Sequence, residues 1–269
     1  MLDRTTSYRM SDAERAQLAR DGFVVRERVF DAEECARIAQ DCEDLVTLLQ
    51  NAKRSEKHVV GSYMFEVEKE AGTVVKWEPW NPEVVQGVEP FAHISKPLEA
   101  WGLDARFLDP CKDVVGEDEV ILFTEKLNVK RAKHGGPIVL HQDYPYWEKM
   151  TPISHRIATA MLFIDDATIE NGCLQVAPGT HTRGKWPQRT DADGFGSLEM
   201  DQGQFDMGRL VNLEVPAGTV AYFGAFLVHQ SLPNRSDTDR RALLYSYQPA
   251  GYPHGREINR LIRAEQQKA

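Results

Sequence analysis

The amino-acid sequence predicts a mainly β protein, a sandwich or jelly roll with helices ahead of it, on three observations. From Glu119 onward, short runs of β-branched, aliphatic and aromatic residues recur between turns marked by Gly, Pro and Asn. Before that point, segments open on helix-capping residues and repeat their apolar positions at helical spacing. The length, 269 residues with 42% hydrophobic and 27% charged, suits one soluble domain with a full core. The chain therefore reads as a single domain over 1–269, mainly helical to about residue 118 and β from about 119 to 250.

Each element has its local reason. Ser11 and Asp12 cap a helix through Leu18, and Asp21-Gly22 ends it. Phe23-Val24-Val25 forms a short strand. Asp31 caps a long helix to about Leu49, on which Cys35 and Cys42, seven apart, share a face and pack as small apolar side chains. The stretch from Asn51 to Pro82 mixes charge with Tyr63, Phe65, Trp77 and Trp80 and keeps no period. A strand pair with loops is expected there, of the irregular kind that forms lids. Helix returns from Pro82 to about Cys111. The β series then runs Val120–Phe123 through Leu127–Val129, Pro137–Leu140, Ile157–Ile164, Cys173–Val176 after the turn Glu170-Asn171-Gly172, Leu210–Val215, Val220–His229 and Ala242–Tyr247. Between the fourth and fifth of these, Gly184 to Gly208 reads as a mobile loop near a pocket mouth.

Composition limits the function. A net charge of −9 argues against a nucleic-acid surface, which needs clustered Lys and Arg, while leaving room for a local basic pocket. Four cysteines without Cys-X-X-Cys spacing fit free thiols in a reducing cytoplasm. The opening residues are too polar for a signal peptide, and no apolar run reaches membrane length. The expected partner is a small molecule, neither nucleic acid nor membrane, and nothing in the sequence fixes an oligomeric state.

The chemistry is carried by His141-Gln142-Asp143. On a strand, alternate residues share a face, so His141 and Asp143 can meet one ion while Gln142 turns away. His229, at the end of a later strand, can supply a third ligand. Two imidazoles and one carboxylate suit Fe(II) and leave coordination positions free. Alone, His-X-Asp is a frequent pattern whose ordinary reading is a loop pair or a hydrogen-bonded histidine. Weight comes from Arg240, eleven residues past His229 and across the turn from Pro233 to Asp239. A guanidinium beside a metal suits bidentate capture of a carboxylate. Strand alternation allows only one of Arg240 and Arg241 to face inward; Arg240 is assigned there and Arg241 to solvent.

On the substrate side, Tyr144, Tyr146 and Trp147 follow the ligand pair at once, stiffened by Pro145, and either wall the pocket or pack on the core. Lys76, Trp77 and His58 could reach a polar or anionic substrate from a lid, although a lysine among Val and Trp ordinarily just lays its stem along apolar surface.

These pieces occur together, in order. Asp21-Gly22-Phe23-Val24-Val25 and Glu33-Glu34-Cys35, then His141-Gln142-Asp143, then Glu170-Asn171-Gly172-Cys173-Leu174 with Pro178-Gly179-Thr180-His181, and last the His229 to Arg240 block resemble the phytanoyl-CoA dioxygenase family over most of the chain. The resemblance implies a double-stranded β-helix (jelly roll, cupin-like) core with flanking helices. It implies Fe(II) held by His141, Asp143 and His229, with 2-oxoglutarate and O2 as co-substrates. Arg240 and Ser231 would take the distal carboxylate of 2-oxoglutarate, with Gln142 and Asn128 close by, and His181 would belong to a structural turn. The implied activity is hydroxylation of a small molecule with release of succinate and CO2, desaturation or cyclisation staying open. Related halogenases carry a small residue in place of the carboxylate ligand, so Asp143 favours hydroxylation. Met161 departs from several relatives, which carry Trp there. Rival readings are an oxygenase that does not use 2-oxoglutarate, a catalytically silent metal-binding barrel acting as a binding module, and a zinc hydrolase, which would have no use for Arg240.

Overall fold

The structure, a computed structural model, describes residues 7–52, 55–60, 63–68, 72–190, 196–255 and 257. Helix α1 (Asp12–Asp21) starts at Ser11 in a reciprocal capping box with Glu14 and stops at Gly22 in the left-handed region. Strand β1 (Phe23–Arg26) follows. Helix α2 (Ala32–Asn51) repeats the capping box with Asp31 and Glu34 and buries Cys35, Ile38, Cys42, Leu45, Val46 and Leu49 along one face. The expected seven-residue pairing of Cys35 and Cys42 on that face is observed, and both thiols are free.

The next stretch departs from expectation. Instead of a strand pair followed by helix, four strands run in succession: β2 (Lys57–Val60), β3 (Tyr63–Glu68), β4 (Thr73–Glu78) and β5 (Asn81–Glu89). Helix resumes only at α3 (Lys96–Trp101) and α4 (Ala105–Val115). Thus the reading of Pro82 to Cys111 as helix fails for residues 82–95, nearly half of it, and the part before residue 118 mixes helices with strands. The alternation of β4 and β5 is broken by register shifts around Trp77, which hides it from a period count.

The remaining elements are β6 (Val120–Lys130), β7 (Ile138–His141), the single turn α5 (Tyr144–Trp147), β8 (Ala158–Phe163), β9 (Leu174–Ala177), β10 (Gln188–Thr190), β11 (Gly196–Met200), β12 (Val211–Leu213), β13 (Thr219–Gly224), β14 (Val228–Ser231) and β15 (Arg240–Pro249). A nine-stranded antiparallel sheet runs β1-β13-β8-β15-β6-β5-β4-β3-β2, and a four-stranded sheet runs β12-β9-β14-β7. From β6 onward the chain passes back and forth between the two, which is the jelly roll. Strands β2 to β5 widen its larger sheet.

Two cores follow from strand alternation. Leu162, Val220, Tyr222, Leu243 and Tyr245 pack outward against the helices, with Phe30, Ile38 and Phe107. Met161, Phe163, Ala221, Phe223 and Ala242 pack inward against Leu174 and Val176 of the small sheet. Buried on both faces, β8 is apolar at every position except Thr159.

Two further corrections concern the later strands. The run Val220–His229 is not one strand: it breaks after Gly224, where Leu227 turns back to hydrogen-bond the Gly224 carbonyl, and β14 restarts in the other sheet. The segment from Gly184 to Gly208 is not structureless either. It carries the β10–β11 hairpin and buries Trp186, Met200 and Phe205 on Leu140, Ala177 and Val228, the outer face of the small sheet. None of its described residues lines the cavity described next, and residues 191–195 lie outside the described residues.

Candidate active site

The small sheet brings the predicted ligands together. In the pairing of β14 with β7, His229 stands directly opposite His141, and their ring centroids are 4.1 Å apart. Asp143 lies past the end of β7, so strand alternation does not place it. The chain bends into α5 instead, with Asp143 at the helix-capping position but making no capping hydrogen bond. Its carboxylate turns back, 3.7 Å from Nε2 of His141. Each of the three residues offers a ligand atom within 4.8 Å of the others, and all three are buried.

Both rings are fixed from behind. Nδ1 of His141 donates to the Val139 carbonyl at 2.8 Å, and Nδ1 of His229 donates to the Leu227 carbonyl at 3.0 Å. This leaves each Nε2 as the free lone pair, the tautomer that a metal needs. Burial, then the neighbouring His229 and Lys126, hold the pKa of His141 far below its ordinary value, so its ring is neutral and ready to coordinate.

His141, Asp143 and His229 open onto a cavity of about 390 Å³ between the sheets. Arg240 enters it from the first residue of β15, exposed by only 1%, with Nε and Nη1 buried and lacking any partner among the described residues. The Ser231 hydroxyl, also on the cavity wall, is buried and has no partner among the described residues either. Burial lowers the Arg240 pKa to about 10, against opposing pulls from Cys173 and Asp165. A buried guanidinium without a counter-charge is costly, and a carboxylate with two oxygens is the group that relieves it. The donor set therefore fits 2-oxoglutarate as well as a 2-His-1-carboxylate metal.

Arg241 faces the opposite way, as alternation requires, but it is not a solvated charge. It pairs with Asp165 at 2.6 Å and with Glu43 at 3.2 Å, tying β15 to α2. Asn128 lines the cavity, whereas Gln142 does not: its amide bonds the carbonyls of Gly184 and Phe226 and the Trp186 amide on the far side. Tyr146 and Trp147 reach the cavity, while Tyr144 stacks on Phe226 outside it, with centroids 4.5 Å apart. Lys76 lines the cavity from β4, and His58 is exposed on β2. Met161 also lines it, on the inward face of β8. His181 stays out of the ligand cluster and packs over Gly22, where a Cβ would come within 2.4 Å of its Nδ1.

Sequence reasoning missed Tyr63, Glu89 and Lys126. Lys126 shares the inward face of β6 with Thr124 and Asn128, and a period-two count from Asn128 would have found it. Tyr63 fastens β3 to the metal strand, its hydroxyl accepting from the Val139 amide at 3.2 Å.

Comparison with known proteins agrees with this geometry. A phytanoyl-CoA dioxygenase domain-containing protein 1 homolog of Caenorhabditis elegans is 23% identical over 85% of this chain and 87% of its own length. A methylphosphonate hydroxylase of Gimesia maris is 31% identical over 51% of this chain and 48% of its own. The crystal structure of EctD from S. alaskensis with 2-oxoglutarate and 5-hydroxyectoine superposes with a TM-score of 0.68, at 21% identity, over 92% of this chain and 79% of that one. The family profile of phytanoyl-CoA dioxygenase matches residues 18–242, and with its jelly roll, clustered His141, Asp143 and His229 and buried arginine the chain belongs to that family of Fe(II)- and 2-oxoglutarate-dependent dioxygenases.

Proposed function

We propose that His141, Asp143 and His229 hold Fe(II), that Arg240 and Ser231 receive the distal carboxylate of 2-oxoglutarate, and that the protein hydroxylates a C–H bond of a small molecule. The observation that carries this reading is the Arg240 guanidinium, buried and unpaired beside Ser231 in the cavity that the three ligands share. An oxygenase without 2-oxoglutarate, or a silent barrel, gives that charge no partner. When bound, iron with 2-oxoglutarate and O2 supplies the oxidising power, leaving succinate and CO2.

The chain's own residues bind, orient and exclude. Val139 and Leu227 carbonyls lock the imidazole orientations, and Arg240 sets the co-substrate's direction and depth. Met161, Leu174 and Leu244 line the cavity as apolar wall that keeps it dry. Asn128 is assigned to the co-substrate end and Tyr146 and Trp147 to the substrate; Gln142 is assigned a supporting role behind the metal strand. Among the described residues no helix is long and apolar enough to cross a membrane, and the four free, buried thiols support a cytoplasmic setting.

Anaerobic titration with Fe(II) and 2-oxoglutarate tests the reading: a visible charge-transfer band should appear only with both present. In Asp143→Ala, substrate-dependent succinate formation should disappear. Full turnover in that variant would remove Asp143 from the ligand set.

A further inference from the structure

The cavity has a second wall, and it comes mostly from the strands that precede the jelly roll, with β6 beside them. Tyr63 and Phe65 of β3, Lys76 of β4, Glu89 of β5 and Lys126 of β6 all face it. Lys126 is neutralised: Glu89 takes its ammonium at 3.0 Å. Burial pulls Lys126 down, but Glu89 and Asp143 outweigh it and leave its pKa raised. Lys76 is different. Among the described residues no carboxylate stands within ion-pair distance of it. Its ammonium rests instead 5.2 Å from the Tyr63 ring centroid and 5.7 Å from that of Phe65. Aromatic faces hold a cation in place without cancelling its charge.

The reach of Lys76 is also built in. In register it sits opposite Gly87, which in turn sits opposite Asn128. A Cβ on Gly87 would lie 2.9 Å from the Leu127 carbonyl oxygen, 3.4 Å from Asn128 Oδ1 and 3.9 Å from Lys76 Cδ. The missing side chain lets Lys76 and Asn128 lie side by side on the wall.

Charge then decides what belongs there, a step that rests on the 2-oxoglutarate reading above. A divalent metal, the Asp143 carboxylate, the two carboxylates of 2-oxoglutarate and the Arg240 guanidinium cancel. Glu89 and Lys126 cancel. One positive charge is left over, in a buried site where an uncompensated charge is costly.

We propose that Lys76 is the substrate's anion anchor, and that the substrate is a small organic anion, a carboxylate or phosphonate, set between Lys76 and the aromatic rings with its reacting carbon toward the metal. Burial, reinforced by Lys126, brings the pKa of Lys76 down to about 8, so an arriving oxyanion also restores a charge that the empty wall resists. The part of the substrate inside is small, because about 390 Å³ must also hold 2-oxoglutarate.

Equilibrium binding tests this without turnover. Anaerobic protein loaded with Fe(II) and 2-oxoglutarate is titrated with alkylphosphonates and short carboxylates, each beside an uncharged amide or ester of the same shape, following the charge-transfer band and calorimetric heat. Anions should bind in preference to their uncharged partners, and the phosphonate and carboxylate arms tell the two sources apart. In Lys76→Met, anion affinity should fall about tenfold to a hundredfold, with Lys76→Arg recovering part of it. The band formed before any anion is added should be the same in all three proteins. A band that never forms in the wild-type protein defeats the 2-oxoglutarate reading. A normal band with no anion bound better than its uncharged partner, or with Lys76→Met binding anions undiminished, defeats the anchor.

Discussion

Arg240 illustrates how much a single side chain can commit a fold to a ligand. At 1% exposure and, among the described residues, without a partner for two of its N–H groups, it should destabilise the ligand-free protein, and under the proposed function a carboxylate would complete it. Arg240→Met should therefore leave the melting temperature of the free protein unchanged or higher, while abolishing the stabilisation that 2-oxoglutarate confers. The apparent Kd for 2-oxoglutarate should rise on the order of a hundredfold, from the loss of a charge-assisted pair. Thermal melts with and without 2-oxoglutarate check both; a variant still stabilised like wild type would sink the assignment. Gln142 shows the opposite case, a residue beside the ligands whose work is mechanical. Its three hydrogen bonds join the metal strand to Gly184, Trp186 and Phe226. Gln142→Ala should cost about 2–3 kcal/mol in denaturant unfolding, at about 1 kcal/mol per bond. A variant of wild-type stability would contradict that role. Gly172 marks a third kind of constraint: its φ is +76°, and a Cβ there would sit 2.2 Å from the Leu232 carbonyl oxygen, so the turn into β9 closes on glycine alone.

At the level of elements, what the sequence disclosed depended on how regular each element's surroundings are. The caps that open α1 and α2, the apolar period of α2 and the unbroken apolar run of β8 are clear local signals, and each element lies where its residues predict. Strands β4 and β5 lack such signals, since register shifts at Trp77 turn the alternation over partway, and Pro82 and Gly87 imitate loop composition. The break between β13 and β14 was hidden for another reason: both are apolar, and only the corner at Gly224 to Leu227 distinguishes two strands from one. The end of β4 also holds a pH-sensitive group. Glu78 is fully buried, and burial lifts its carboxyl to about 7, although the Gly136 amide at 2.7 Å, Lys130 and Gln86 pull the other way. Because the folded pKa is raised above the ordinary 4.5, the unfolded chain loses this proton first as pH rises. Stability from this group is thus full below about 4.5 and is lost progressively up to about 7. Glu78→Gln should gain in melting temperature relative to wild type between pH 5 and pH 8. An equal difference at both values would refute the titration.

For the whole molecule, the clustering of His141, Asp143 and His229 was legible in the sequence and the wall built by β3 to β5 was not, and the reason is topological. His141, Asp143, His229 and Arg240 lie near the ends of core strands, at spacings that the jelly roll makes meaningful. Lys76, Tyr63, Glu89 and Lys126 become neighbours only when β2 to β5 add to the edge of the larger sheet, a pairing that no local pattern announces. Lys76 was visible as a residue but not as a charge without a partner. The added strands have a consequence for how such a protein diversifies. Under the proposed function, the residues for oxidation lie after residue 120, and much of the wall proposed to select the substrate lies before residue 90. Exchanging inward-facing residues between 63 and 89 should retune which molecule is accepted while the Fe(II)–2-oxoglutarate spectrum stays as it was. Specificity can then drift in one stretch of gene without jeopardising the reaction written in another.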